Sequence, residues 1–257
     1  MRPNIDVEEL RGKVRELYGQ VADDPSADLH FETGRDLAVR LGYPEPDLDR
    51  VPPAAVDSFA GVGFHLDLAE LSPGDQVLDL GSGSGMDSFV AGLRVGPNGR
   101  VHGIDMTDAQ RRKATRLAER HGFDHVAFAD GLIEELPVVD GCADVVISNG
   151  VINLAADKSA VFREIARALR PGGRLALSDI VTEKPLTENI VCDTSLWAAC
   201  IGGAAQEDAY RAAIEAAGLT LLQVRANPSY AFLSKSAQGA TEEFGVKSVS
   251  LVAVLEA

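Results

Sequence analysis

Residues 77–85 read Val77-Leu78-Asp79-Leu80-Gly81-Ser82-Gly83-Ser84-Gly85, an aliphatic run broken by one acid and closed by three alternating glycines. Aliphatic and β-branched residues over Gln76 to Leu80 predict a short buried strand, and the glycines predict a sharp turn in which backbone passes close to a ligand. Downstream, strand-like and helix-like runs alternate for about a hundred residues. Strands are expected at Gln76 to Leu80, Arg100 to Ile104, His125 to Ala129, Ala143 to Ser148 and Arg174 to Ser178. Helices are expected near Asp87 to Leu93, Asp108 to His121 and Asp157 to Leu169, the last closing at Pro171-Gly172-Gly173. Strand–helix repetition of this kind specifies an α/β, doubly wound sheet of about seven strands, covered on both faces.

Upstream, Asp6 and Glu9 stand in capping-box spacing, and Leu10, Val14, Leu17 and Tyr18 share a helical face, so a first helix is expected to run to Gly19. The polar stretch Val21 to Val51, with a helical run at Arg35 to Leu41, reads as a cap. Residues 1–70 are therefore expected to form a helical N-terminal lid, and 71–257 the sheet domain with an insertion at 182–205 over the substrate pocket. A helix through Tyr210, Ala213, Ile214 and Ala217 follows, and Leu219 to Val224 with Ser248 to Leu255 read as a closing hairpin.

The chain has 257 residues, 46% of them hydrophobic, and a net charge of -15. That charge repels nucleic acid as a whole, so no nucleic-acid partner is expected. No run reaches a membrane span and no apolar leader opens the chain, which reads as a cytoplasmic protein with no membrane partner. Cys142, Cys192 and Cys200, an odd set without a CxxC pair, suggest neither a disulfide framework nor a metal site.

The glycine loop carries more chemistry. A dinucleotide loop wants a further glycine where this chain has Met86. Asp79, at the end of its strand, suits an ammonium group better than a phosphate. Asp105, twenty residues after Gly85, stands where a carboxylate accepts the hydroxyls of an unphosphorylated ribose. A ligand with a ribose, an amine and no phosphate fits best.

This constellation over Asp75 to Ile180 resembles the class I S-adenosylmethionine-dependent methyltransferases, which have a Rossmann-like fold. The resemblance implies S-adenosylmethionine as cofactor, held by Asp79, Gly81, Ser82, Gly83, Asp105 and Met106, with Leu132 and Ile133 on the adenine. A narrower likeness lies in 105–110, Ile147-Ser148-Asn149-Gly150-Val151-Ile152-Asn153-Leu154, Asp157-Lys158 and Leu196 to Ala204, which resemble arsenite methyltransferases. So does Tyr18-Gly19, where that family uses a tyrosine to cover the cofactor. In that family thiolates hold trivalent arsenic. Here one family cysteine position is Gly150, another falls within Gly61-Val62-Gly63-Phe64, and only Cys200 matches a ligand. Cys142 and Cys192 read as small hydrophobes.

The leading expectation is thus an enzyme methylating a small-molecule acceptor. Arsenite methylation by Cys200 with external thiols is the alternative, and a non-catalytic cofactor-binding protein or a nicotinamide oxidoreductase remain further readings. His65 and His30 are candidate general bases, each with a structural role as its other reading. Asn149 and Asn153, after the fourth strand, are expected to bring polarity to the site, Asn149 on the cofactor side. Trp197 is expected either to wall the acceptor pocket or to pack in the core.

Overall fold

The computed structural model describes residues 6–27, 29, 31–191, 197, 202–233 and 235–256. Eight strands form one sheet: β1 (Gln76–Leu80), β2 (Arg100–Asp105), β3 (Val126–Asp130), β4 (Ala143–Asn149), β5 (Leu169–Thr182), β6 (Ala205–Gln206), β7 (Leu219–Ala226) and β8 (Lys247–Leu255). Their order is β3-β2-β1-β4-β5-β8-β7, with β6 paired to β5 off this path. The strands from β3 to β5 run parallel, whereas β8 is antiparallel to both β5 and β7. The connections reverse direction between β1 and β4, so the turns after these strands diverge and leave a crevice at their carboxyl ends, where open α/β sheets bind ligands.

Residue alternation builds the two covering layers. Val77, Val145 and Ile147 face a cluster made with Phe89, Val90 and Val95 of α5 (Met86–Val95). Leu78, Leu80 and Val146 face the opposite cluster, with Phe162 and Ile165 of α7 (Lys158–Ala168) and Tyr210 and Ile214 of the helix Glu207–Ala216. Helix α6 (Asp108–His121) matches its expected span and stops at Gly122, whose φ of 72° makes the left-handed cap.

The N-terminal helices are α1 (Val7–Asp23), α2 (Arg35–Leu41), α3 (Glu45–Leu48) and α4 (Pro53–Asp57). Asp6 caps α1 by accepting from the Glu8 and Glu9 amides. The helix does not stop at Gly19 as expected. It continues because Val21 and Ala22 are buried and because Gln110, Ser58 and Lys113 donate to the carbonyls of Tyr18, Val21 and Ala22, partners that no local sequence rule supplies. Residues from α2 to Leu71 share the cluster that covers α5, so this segment is packed against the sheet layer.

Two other expectations change. Pro171-Gly172-Gly173 does not terminate a helix: α7 ends at Ala168, Leu169 already pairs with Ala143, and residues 170–173 loop out before Arg174 pairs with Val145. The last two long strands pair but are not joined as a hairpin. The helix Lys235–Phe244 lies between them, and its Ala240 and Phe244 bury with Leu10 and Val14 of α1. Among the described residues no helix is long and apolar enough to cross a membrane.

Candidate cofactor and acceptor site

After β1 the chain turns through Gly81, Gly83 and Gly85, all at positive φ. The Gly81 and Ser82 amides both donate to the Ile104 carbonyl, at 2.8 and 3.1 Å, which ties the turn to β2. A Cβ on Gly81 would lie 2.5 Å from Val151, so glycine is required where the turns after β1 and β4 meet. Above the turn lies a cavity that opens to solvent. α1 roofs it with Leu10, Val14 and Tyr18, the Tyr18 ring stacking on Phe31 at 5.9 Å. Arg11 of that roof reaches Glu134 across the mouth at 3.5 Å.

Asp79, Gly81, Ser82, Gly83, Asp105, Met106, Leu132, Ile133, Asn149 and Tyr18 all line this cavity, so the residues expected on the cofactor come together. Asp105 binds the loop itself: one carboxylate oxygen accepts from the Gly83 amide at 2.9 Å and the other from the Thr107 amide at 2.7 Å. Burial raises its carboxyl above the ordinary value, against these two donors. Asp79 is met by less. The Ser88 hydroxyl donates to it at 2.5 Å, and no described cation pairs with it. Burial, then the neighbouring Asp87 and Asp105 charges, push its carboxyl up to about 8.

Asp87 lines the same wall and is a site residue that the sequence reading passed over. Its signal was an acid in the first turn of the mostly apolar helix Met86–Val95, directly after the glycine loop. The Tyr43 hydroxyl donates to one of its oxygens, and the Asn149 amide to the other at 3.1 Å. Asn149 further donates to the Gly63 carbonyl at 3.0 Å and accepts from the Val62 amide at 2.8 Å, so it stitches β4 to the 61–64 segment.

The candidates for acceptor chemistry fare differently. His65 does not line the cavity: it is fully buried, and neither ring nitrogen has a hydrogen-bond partner among the described residues. Burial lowers its imidazole below the ordinary value, with Asp87 and Asp67 opposing and Arg94 adding to the shift. A base shut away from the cavity cannot take a proton from an acceptor there. Asn153 is also outside the lining; its amide donates to Asp179 at 3.0 Å and its carbonyl accepts from Lys158 at 3.1 Å. Trp197 is buried, donates to the Val191 carbonyl at 2.6 Å, lies under the Lys158 ammonium at 4.9 Å, and borders a second cavity beside Tyr210. His30, Cys192 and Cys200 lie outside the described residues.

Gly150 borders the main cavity at a φ of 75°, and a Cβ built on it would stand 3.3 Å from the buried Val62 side chain. Gly150 therefore lies against the 61–64 segment, and neither carries sulfur. Cys142, at the start of β4, packs against the cluster on the other side of the sheet. Among the described residues no cysteine lines the cavity.

A family model described as a methyltransferase domain matches residues 71–218. The arsenite methyltransferase of Halobacterium salinarum is 39% identical over 233 residues, covering 85% of this chain and 59% of the relative. That of Mus musculus is 36% identical, covering 79% and 56%. This chain thus spans less than two thirds of the length of either curated relative. Among solved structures, the arsenic(III) S-adenosylmethionine methyltransferase of Chlamydomonas reinhardtii superposes with a TM-score of 0.71 at 30% identity, covering 83% of this chain and 73% of that one.

Proposed function

The chain belongs to the S-adenosylmethionine-dependent methyltransferases, and on that footing we propose that it methylates a small-molecule acceptor other than trivalent arsenic. The observation that carries this reading is the pairing of a cavity rich in carboxylates and glycine turns with a lining that, among the described residues, holds no cysteine and has glycine at positions 61 and 150.

The residues present fit the cofactor. Asp79 and Asp87 form an acidic wall without a described cation, which an ammonium group neutralises. The Ser82 hydroxyl is buried without a partner, a donor left for a ligand atom. The Asp105 oxygens, each already holding one backbone amide, keep lone pairs for two ribose hydroxyls. Met106, Leu132 and Ile133 supply apolar faces for a planar base.

When bound, S-adenosylmethionine supplies a methyl group already activated on a sulfonium. The protein's task is alignment and exclusion of water. Leu10 and Val14 of α1, with Val151, Leu154 and Ala155, close the cavity with aliphatic side chains, and Tyr18 covers its edge. Such walls favour an acceptor with an apolar body. The aromatic faces of Phe59 and Tyr18 shelter positive charge.

Arsenite methylation is the second reading, favoured by the relatives above. It needs thiolates, so it would rest on Cys200 and external thiols. Incubation with methyl-labelled S-adenosylmethionine, arsenite and excess small thiol decides between the two. The proposal expects no methylated arsenic from a chain that binds the cofactor; abundant product, lost in Cys200→Ser, would establish the second reading.

A further inference from the structure

Tyr43 stands outside the cavity lining, yet it touches three residues that form it: Phe59, Asp87 and Asn149. It follows Gly42, the left-handed cap of α2, and its amide donates to the Ala38 carbonyl at 3.1 Å, which fixes the backbone entering the turn. Its ring meets Phe59 at 5.1 Å and Phe64 at 4.7 Å, both edge-on, and the side chain is 2% exposed. The hydroxyl donates to Asp87, and the Asn149 amide nitrogen lies 3.1 Å from the phenol oxygen. A phenol has one proton to give. An ionised carboxylate only accepts, so that proton is committed to Asp87.

Asp87 is held on both oxygens, by Tyr43 on one and by Asn149 on the other, so its plane cannot rotate. Such fixation is costly to assemble unless the carboxylate has a task, because it keeps a charge close to Asp79 in a buried wall with no described cation between them. The ligand group that answers two adjacent buried carboxylates is a cation.

We propose that Tyr43 is a positioning residue that locks Asp87 beside Asp79, so that the two carboxylates form one seat for the ammonium group at the amino-acid end of the cofactor. This rests on the cofactor reading given above and adds to it the residue that aims the second carboxylate.

The test compares two ligands in binding titrations with the full chain: S-adenosylhomocysteine, which carries the ammonium, and 5′-methylthioadenosine, which lacks the amino-acid end. Tyr43→Phe keeps the ring and deletes only the hydroxyl. It is expected to weaken S-adenosylhomocysteine about tenfold and leave 5′-methylthioadenosine unchanged, the loss expected for one hydrogen bond to a charged group. Asp87→Asn is expected to show the same selective loss, and the double variant to lose little more than either single one. Should Tyr43→Phe not fold, Asp87→Asn carries the same comparison. Equal weakening of both ligands would mean a structural role alone, and unchanged S-adenosylhomocysteine affinity in folded variants would also overturn the proposal. A wild-type chain that binds neither ligand would instead overturn the cofactor reading on which it stands.

Discussion

Asp79 and Asp179 are the same chemical group in closely similar settings: each lies in a parallel strand of one sheet, β1 or β5, with 2% and 0% exposure. What surrounds them differs. Asp179 accepts from the Tyr210 hydroxyl at 2.7 Å, the Asn153 amide at 3.0 Å and the Ile180 amide at 2.8 Å. The Lys158 ammonium lies close enough to oppose the effect of burial, and the carboxyl is pushed up only to about 6. Burial in turn lowers Lys158 to about 8. Asp79 has one hydroxyl and two neighbouring acids, and rises to about 8. A buried charge whose partners all come from the chain is part of the framework. One that lacks them is completed by a ligand.

The sharpest way to break this contrast is to remove each carboxylate. Asp179→Ala strands a phenol and two backbone amides in the core, and is expected to cost about 3 kcal/mol of stability, measured by urea unfolding. Loss of stability near zero would remove Asp179 from the framework. Asp79→Asn is expected to do the reverse, leaving the ligand-free chain at least as stable at neutral pH while weakening S-adenosylhomocysteine by about 2 kcal/mol, roughly thirtyfold. Equilibrium binding paired with unfolding curves reads both halves. Asp105→Ala, which loses loop and ribose contacts together, should weaken the same ligand by about 1.5 kcal/mol. His65→Gln is the smallest case: with the imidazole buried, neutral and away from the cavity, the pH profile of turnover is expected to stay where it is. A shifted limb would return His65 to the list of bases.

The cofactor side was legible because its determinants are consecutive or regularly spaced. The run Val77 to Gly85 specifies strand and turn locally, Asp105 follows at the spacing of one strand–helix unit, and α6 carries its own amphipathic pattern between Thr107 and Gly122. The side chains that brace the cavity wall from behind were not legible, since their geometry is made by distant pairs. Tyr43 reaches Asp87 across 44 positions and Asn149 across 106. Asn153 and Trp197 sat in motifs that suggested the site, but Asn153 is buried outside the cavity lining and the Trp197 indole donates to the Val191 carbonyl. The end of α1 was missed for the same reason, because side chains of α6 and of Ser58 supply its last partners. Local propensity ended that helix at a glycine, and burial of Val21 and Ala22 overrode it.

The raised Asp79 carboxyl also has a thermodynamic sign. Its folded value of about 8 lies above the ordinary carboxylate range, so the folded chain holds this proton more tightly than the unfolded one. Its contribution to the stability of the ligand-free protein is full below the ordinary carboxylate range, falls as pH rises from there, and is gone above about 8. An ammonium group seated beside it favours the charged carboxylate, so binding at neutral pH expels the proton. Calorimetric titration of S-adenosylhomocysteine at pH 7 in buffers of different ionisation enthalpy measures this exchange directly. The account predicts net proton release on binding that disappears in Asp79→Asn; tight binding with no proton release in the wild-type chain would contradict it.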